Sequence, residues 1–497
     1  LLFIIPSLFL SSKNRDKKIS SSSKIPKSYP VLGSFYDIFK NKDRFVQWTA
    51  EIVKTTPSNT FTLRRPLGHE ILITADPDNV RHILKTNFHV YEKGDLFKDL
   101  LGDLLGNGIF NADGEVWKFQ RQIASHEFNT KSLRKFVDTA VSAELSGRLL
   151  PLLKNAAADN TVLDFQDILQ RFAFDSICKI AFGYDPECLA PSLPESAFAV
   201  AFDNAVRFSS ERFNTFHPGV WKVKRALNLG ESERELKSAV TQIQNLAKEI
   251  IRQKKKKKNH LDNNDVDEED SDLLSRFLSS GHSDEQFVMD IVISFILAGR
   301  DTTSAALTWF FWLLSSHPHV ETAILQEINN AKQPESGGAY DEVKEMLYIH
   351  ASISEAMRLY PPVPFDSKCA TADDVLPDGS IVRKDMVVAY HPYAMGRDDK
   401  IWGSDWSEFR PERWLENKSA DKLTFVNRDA YTFPVFQAGP RICLGKEMAF
   451  MQMKSVIAGV VRDFKIVPVA EEGYEPEYLA FLTAKMKGGF PVRIQTR

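Results

Sequence analysis

Between residues 115 and 330, Leu, Ile and Phe return at steps of three and four, the period of helices that bury one face. The most apolar long stretch, residues 284–315 (DEQFVMDIVISFILAGRDTTSAALTWFFWLLS), could span a bilayer by length, yet Asp290, Arg300 and Asp301 lie inside it. Each would cost about 2.5–3.5 kcal/mol near a bilayer centre, so a helix buried in a large soluble core is expected instead. Upstream, residues 61–75 (FTLRRPLGHEILITA) read as two strands around a Pro66–Gly68 turn, with Asp76 and Pro77 as N-cap and first residue of a helix. Beyond residue 370 the helical period gives way to short β runs, with Asp378–Gly379 as a hairpin turn and residues 386–391 (MVVAYH) as a strand. The basic run 252–258 (RQKKKKK) and the acidic run 262–270 predict a solvated loop between two helices. No repeat recurs at periods of 20 to 50 residues. The order predicts one large domain over residues 34–497, mainly α with a smaller β-rich lobe.

The first residues read differently. Leu1 to Leu10 (LLFIIPSLFL) is apolar but short of the about 20 residues that cross a membrane, and Lys13, Arg15, Lys17 and Lys18 follow. Residues 1–24 are therefore expected to be the end of a truncated membrane anchor with its basic flank. The positive-inside rule would then leave the main body in the cytosol. Pro26, Tyr29, Pro30 and Gly33 make residues 25–33 a Pro-rich hinge.

Composition narrows the class. The 497 residues are 43% hydrophobic and 26% charged, which fits a large core and not a disordered chain. With 63 Lys and Arg against 66 Asp and Glu, the charge of −3 gives no electrostatic case for nucleic-acid binding. Four cysteines, at 178, 188, 369 and 443, include no CxxC pair and are too sparse for a disulfide scaffold.

One of the four stands in an unusual setting. Residues 436–445 (FQAGPRICLG) place Cys443 in a glycine-framed turn ahead of a helical run, KEMAFMQMKSVIAGVV. A thiolate at a helix start is favoured by free backbone N–H groups and the macrodipole. Gly439 permits the tight turn, Gly445 allows close approach of a flat ligand, and Arg441 adds a cation two residues before the sulfur. A buried structural cysteine is the ordinary reading of a lone Cys. The spacing F-x-x-G-x-R-x-C-x-G is too specific for that.

This loop resembles that of the cytochrome P-450 family of haem-thiolate monooxygenases. The resemblance implies that Cys443 is the axial thiolate of haem b, pushing electron density onto the iron, and that Phe436, Gly439, Arg441 and Gly445 shape its seat. Three further motifs follow in family order. Ala298–Thr303 (AGRDTT) lies mid-way along the long apolar helix, where the Thr302 hydroxyl can bond the Ala298 carbonyl and open a polar notch. By resemblance, Asp301 and Thr302 deliver protons to iron-bound oxygen. Glu355 and Arg358 share a helix face, and Arg413 in FRPERW would join them as a structural triad. Trp117 and Arg121, four apart, would hold a haem propionate, with Lys368 and Arg441 as further propionate partners. The resemblance covers about residues 29–497.

In finer texture the chain is similar to the plant fatty-acid ω-hydroxylase group. That implies O2, electrons from NADPH through NADPH-cytochrome P-450 reductase, a monomer on the endoplasmic reticulum membrane, and a long-chain fatty acid as substrate. Jasmonoyl-isoleucine, hydroxylated by close relatives, is the alternative. Reductase-independent lipid hydroperoxide isomerases belong to the same family, but tend to lose the Thr of the notch, which is present here as Thr302. Animal relatives often link haem through a Glu before the notch Gly; Ala298 stands there, so the haem is expected to be non-covalently bound on that side. Ala298, Val363, Phe365, Phe481 and Leu482 would form the substrate wall. The apolar run from Leu96 to Phe110 could line a channel, and Lys93, Lys98, Arg207 and Arg212 are candidate partners for the substrate carboxylate.

Overall fold

The computed structural model describes residues 25–497 except 195, 216–217, 261–271, 281–283, 332–337, 420–421 and 472. The expected anchor, residues 1–24, lies outside the described residues.

The elements that build the site, in chain order, begin with helix α1 (Phe45–Val53) and strands β1 (Thr60–Arg64), β2 (Glu70–Thr74) and β3 (Tyr91–Glu92). Helices α2 (Gly94–Leu105), α3 (Gly114–Ser125), α4 (Phe165–Phe182), α5 (Ala197–Glu211), α6 (Pro218–Ala226) and α7 (Glu231–His260) follow. Then come α8 (Glu285–Ser315), α9 (Leu347–Leu359), β4 (Asp366–Ala370), β5 (Val387–Tyr390), α10 (Lys446–Asp463), β6 (Tyr478–Ala480) and β7 (Ala484–Met486). This is the mainly helical architecture with a small β-rich lobe that the sequence predicts.

The lobe is a five-stranded sheet in the order β1-β2-β5-β4-β3. β1 and β2 pair antiparallel from Thr60–Thr74 to Arg64–Glu70, and Pro66–Gly68 makes the turn between them. Asp76 accepts from the amides of Asp78 and Asn79, capping the next helix as expected. β2 runs parallel to β5, which pairs antiparallel with β4, so chain segments some 300 residues apart close one sheet. The Asp378–Gly379 hairpin joins two short strands, with Gly379 at φ +85°.

Helix α8 is the axis of the helical part. Asp284 caps it by accepting from the Gln286 amide. Its first half, through Leu297, packs in an apolar cluster with α2, α4, α5 and α7. Its second half, from Ala306, packs in another with α9 and α10. Residues 298–305 therefore sit at the seam of two cores. The buried charges inside α8 are all satisfied. Asp290 accepts from the Asn107 amide at 2.8 Å and from Gln286 at 2.7 Å, and Arg300 and Asp301 pair at 2.6 Å. Among the described residues no helix is long and apolar enough to cross a membrane.

One expectation fails. The basic run 252–258 is not a loop but the last part of α7, which continues to His260. The apolar stripe Leu236, Ala239, Val240, Ile243, Ala247, Ile250 and Ile251 docks the helix on the core, and Lys is a good helix former favoured near a helix C-terminus.

Candidate active site

The Cys443 loop is fixed by backbone geometry. Gly439 has φ +65°, and a Cβ there would stand 2.0 Å from the Leu84 carbonyl oxygen, so no other residue fits. The Cys443 amide donates to the Phe436 carbonyl at 2.8 Å, and the Phe436 ring packs 5.3 Å from Phe450 on α10. Gly445 precedes α10; a Cβ there would approach Phe128 at 3.4 Å and the Cys443 sulfur at 4.0 Å. Cys443 is exposed to solvent in the turn just before α10. Desolvation by the surrounding protein pushes the thiol up, against the Gly445 N–H, Arg121 and Lys446, which favour the thiolate.

Cationic side chains surround the same region. Arg121, one turn after Trp117 on α3, donates to the Ile442 carbonyl at 2.8 Å. The Arg441 guanidinium lies 4.5 Å over the buried Trp117 ring and donates to Asp113 at 2.7 Å, but its Nε is buried without a partner among the described residues. Lys368 on β4 is 1% exposed, and its Nζ also lacks a hydrogen bond among the described residues. The nearest carboxylate, Asp366, is 3.7 Å away and is already bound to Lys93 at 2.8 Å. Burial, then Lys93, drives Lys368 well below the usual lysine range, with Arg441 adding to the effect. Two buried cationic groups with unpartnered nitrogens are costly by themselves and suited to anionic oxygens.

On α8 the helix runs unbroken through AGRDTT, and the expected hydroxyl bond is present. Thr302 Oγ1 donates to the Ala298 carbonyl at 2.6 Å. Asp301 is buried, bound to Arg300 through Oδ1 and to the Thr483 hydroxyl at 3.4 Å through Oδ2. Gly299 has a second reason to be glycine: a Cβ there would stand 2.5 Å from Ile177 of α4.

Glu355, Arg358 and Arg413 come together as expected. Arg358 grips Glu355 at 2.7 and 2.8 Å, and Arg413 reaches Glu355 at 3.0 Å. Trp414, which spacing alone does not single out, donates its indole N–H to the same carboxylate at 2.8 Å. Arg358 also donates to the Trp406 and Glu408 carbonyls, so the cluster clamps α9 to the segment before the FRPERW turn.

The substrate-wall residues are less uniform. Ala298, Val363, Phe365, Phe481 and Leu482 are all half-buried. Phe481 and Leu482, between β6 and β7, pack against the cluster around the first half of α8. Phe365 instead turns edge-on to Phe45 at 5.9 Å and His391 at 5.3 Å, against the sheet lobe. Leu100, Leu101, Leu104 and Leu105 are core, each at most 2% exposed, because they are the inner face of α2. Three of the four candidate carboxylate partners are already neutralised: Lys93 by Asp366, Lys98 by Asp113 at 3.0 Å, Arg212 by Glu233 at 2.6 Å. Arg207 is exposed beside Phe208, with no carboxylate on it among the described residues.

A helical body pierced by one long helix, with an exposed cysteine in a glycine-framed turn before α10, is the arrangement of a haem-thiolate enzyme. Residues 24–490 match the family described as Cytochrome P-450, and the chain belongs to that family of haem-thiolate monooxygenases. Among its relatives it is 58% identical to Cytochrome P-450 94A2 of Vicia sativa, over 99% of this chain and 96% of that protein. It is 56% identical to Cytochrome P-450 94A1 of Vicia sativa (95% and 91% covered) and 47% identical to Cytochrome P-450 94B1 of Arabidopsis thaliana (100% and 95% covered). The site fits the family's haem: the exposed thiol of Cys443 could offer the iron ligand, and the Lys368 and Arg441 nitrogens left without hydrogen-bond partners among the described residues suit two propionates.

Proposed function

We propose that Cys443 is the haem ligand and that the enzyme hydroxylates the terminal (ω) carbon of medium- to long-chain fatty acids. Electrons would come from NADPH through NADPH-cytochrome P-450 reductase, with one atom of O2 entering the substrate and the other leaving as water. Bound haem supplies oxygen activation, which the Cys443 thiolate favours. Lys368, Arg441, Arg121 and the Trp117 indole would hold the propionates, while Phe436, Gly439 and Gly445 keep the cysteine loop in register. Thr302 and Asp301 would hold and pass the protons that O–O cleavage requires. Glu355, Arg358 and Arg413 act as scaffold behind the haem.

The observation that carries the haem assignment is the exposed Cys443 ahead of α10, with the buried nitrogens of Lys368 and Arg441 that lack hydrogen-bond partners among the described residues in support. The substrate reading is supported by the half-buried apolar side chains of Ala298, Phe481 and Leu482, the last two in the turn whose Thr483 reaches Asp301. A terminal C–H bond is stronger than the neighbouring methylene bonds, so ω selectivity needs such a wall to admit only the chain end. The intact Thr302–Ala298 bond favours a reductase-fed monooxygenase over a hydroperoxide isomerase. We place the catalytic domain, residues 34–497, on the cytosolic face of the endoplasmic reticulum, held as a monomer by residues 1–24 through the hinge at 25–33. The test is turnover of a fatty-acid panel and of jasmonoyl-isoleucine with reductase and NADPH, reading hydroxyl positions by mass spectrometry. Preference for jasmonoyl-isoleucine over every fatty acid would replace the substrate assignment.

A further inference from the structure

Arg300 is 2% exposed in the middle of α8, where an unpaired guanidinium could not be tolerated. Its Nη1 donates to Asp301 at 2.6 Å and to Asp203 of α5 at 2.9 Å, and its Nη2 reaches Gln170 of α4 at 3.5 Å. The same Asp203 oxygen accepts from Lys485 of β7 at 2.7 Å. Asp203 is 40% exposed at its side chain, Lys485 16%. Burial opposes ionisation of Asp203, but Arg300 and Lys485 outweigh it and hold the carboxyl below its ordinary range. The outcome is a row of alternating charges, Lys485, Asp203, Arg300, Asp301, running from the solvent boundary to the carboxylate next to Thr302. It joins two helices and the C-terminal hairpin.

We propose that Arg300 is a positioning residue for the Asp301 carboxylate, and that Asp203 and Lys485 set how firmly Arg300 holds it. Proton delivery is thereby tuned from α5 and β7. The proposal rests on Asp301 and Thr302 being the proton relay. Arg300 cannot itself carry the proton, because a guanidinium stays protonated in proteins. A proton that leaves Asp301 is replaced from water, and what Arg300 contributes is the orientation of Oδ1. Its two Nη1 contacts compete. Asp203 draws the guanidinium towards α5, and Lys485 draws Asp203 away from it. Removing Asp203 therefore leaves Asp301 as the only carboxylate on Arg300 and tightens that hold. Removing Lys485 frees Asp203 to pull harder and loosens it.

The alternation gives opposite signs, which a merely structural role would not. In the haem-loaded enzyme with reductase, Asp203→Asn is expected to raise the solvent deuterium isotope effect and the share of NADPH lost as hydrogen peroxide. Lys485→Met is expected to lower both, each change being about twofold or more, the lower end of coupling between linked sites. Asp203→Glu should restore the Asp203→Asn defect. Independently of turnover, thermal midpoints of the two single variants and the double variant should be non-additive, as for groups in direct contact. Lys485→Met lies at the rim of the cluster and decides the matter alone if Asp203→Asn fails to fold. Changes of the same sign in both variants, no change in either, or additive midpoints would overturn the proposal. If Asp301→Asn still impairs proton delivery in that case, the tether alone is wrong; if Asp301→Asn is silent, the relay assignment falls and the tether with it.

Discussion

Thr302 donates its hydroxyl hydrogen to the carbonyl of Ala298, one turn earlier on the central helix, at 2.6 Å. That bond places the hydroxyl at the seam between two apolar cores. Thr302→Ala is expected to load haem normally while product per NADPH falls by about tenfold or more, within the range of lost proton-transfer catalysis. Unchanged coupling of NADPH consumption to product would reduce Thr302 to a helix-shaping residue.

Glu355 gathers Arg358, Arg413, the Trp414 indole and the Arg410 amide on one buried carboxylate. Glu355→Ala removes the only carboxylate on Arg358 among the described residues, leaves Arg413 with the Asp405 carboxylate alone and strips the Trp414 indole of its acceptor, a loss of about 3–5 kcal/mol for a broken buried pair. Haem-loaded protein should be recovered in far lower yield, measured as the ratio of Soret to protein absorbance. A stable, haem-replete variant would show that other contacts hold this corner.

Lys368→Met removes a buried amine that has no hydrogen-bond partner among the described residues. On the propionate assignment the variant should fold at least as well without haem and lose haem faster to an apoprotein scavenger. A haem-dissociation rate equal to the wild type would take Lys368 out of the haem site.

His350 stacks on Phe450 with ring centroids 3.9 Å apart, and burial, helped by Lys454 and Lys446, depresses its pKa to about 3. Because the folded value lies below the unfolded value of about 6.5, its contribution is fully present above about pH 6.5 and is lost as pH falls towards 3. His350→Phe keeps the stack and removes the titration. The thermal midpoint of the variant should gain on the wild type steadily from pH 6.5 down to pH 4. A constant difference over that range would mean that the ring is protonated in the folded protein.

Leu482 lies in the β6–β7 turn against the first half of α8, whereas Phe365 is turned towards Phe45 and His391. Leu482→Ala is therefore expected to shift product from the ω towards the ω−1 and ω−2 carbons more than Phe365→Ala does. The isomer ratio from one saturated fatty acid checks it, and an unchanged ratio in both would place regioselectivity elsewhere.

What was legible in the sequence was local. The Cys443 loop, the AGRDTT notch and the EAMR pair declare themselves because their partners lie within ten residues, and Arg413 because it sits in a second short motif. The central helix was separable from a membrane span because three charges interrupt it, and each finds a partner. Long-range pairing was not legible. Asp203 meets Arg300, 97 residues away, and Lys485 from the last hairpin, with no motif to join them. The same holds for Lys93, Lys98 and Arg212, which spacing left as free cations and the fold neutralises. The lysine run of α7 was misread because charge density hid the apolar stripe that makes the helix.

The central claim, that Cys443 ligates haem iron through its thiolate, is tested most directly by the carbon-monoxide difference spectrum of the reduced protein. Wild type should show the red-shifted thiolate-type Soret band, and Cys443→His should lose that band even where haem is retained. A Cys443→His protein that keeps the thiolate-type band would contradict the assignment.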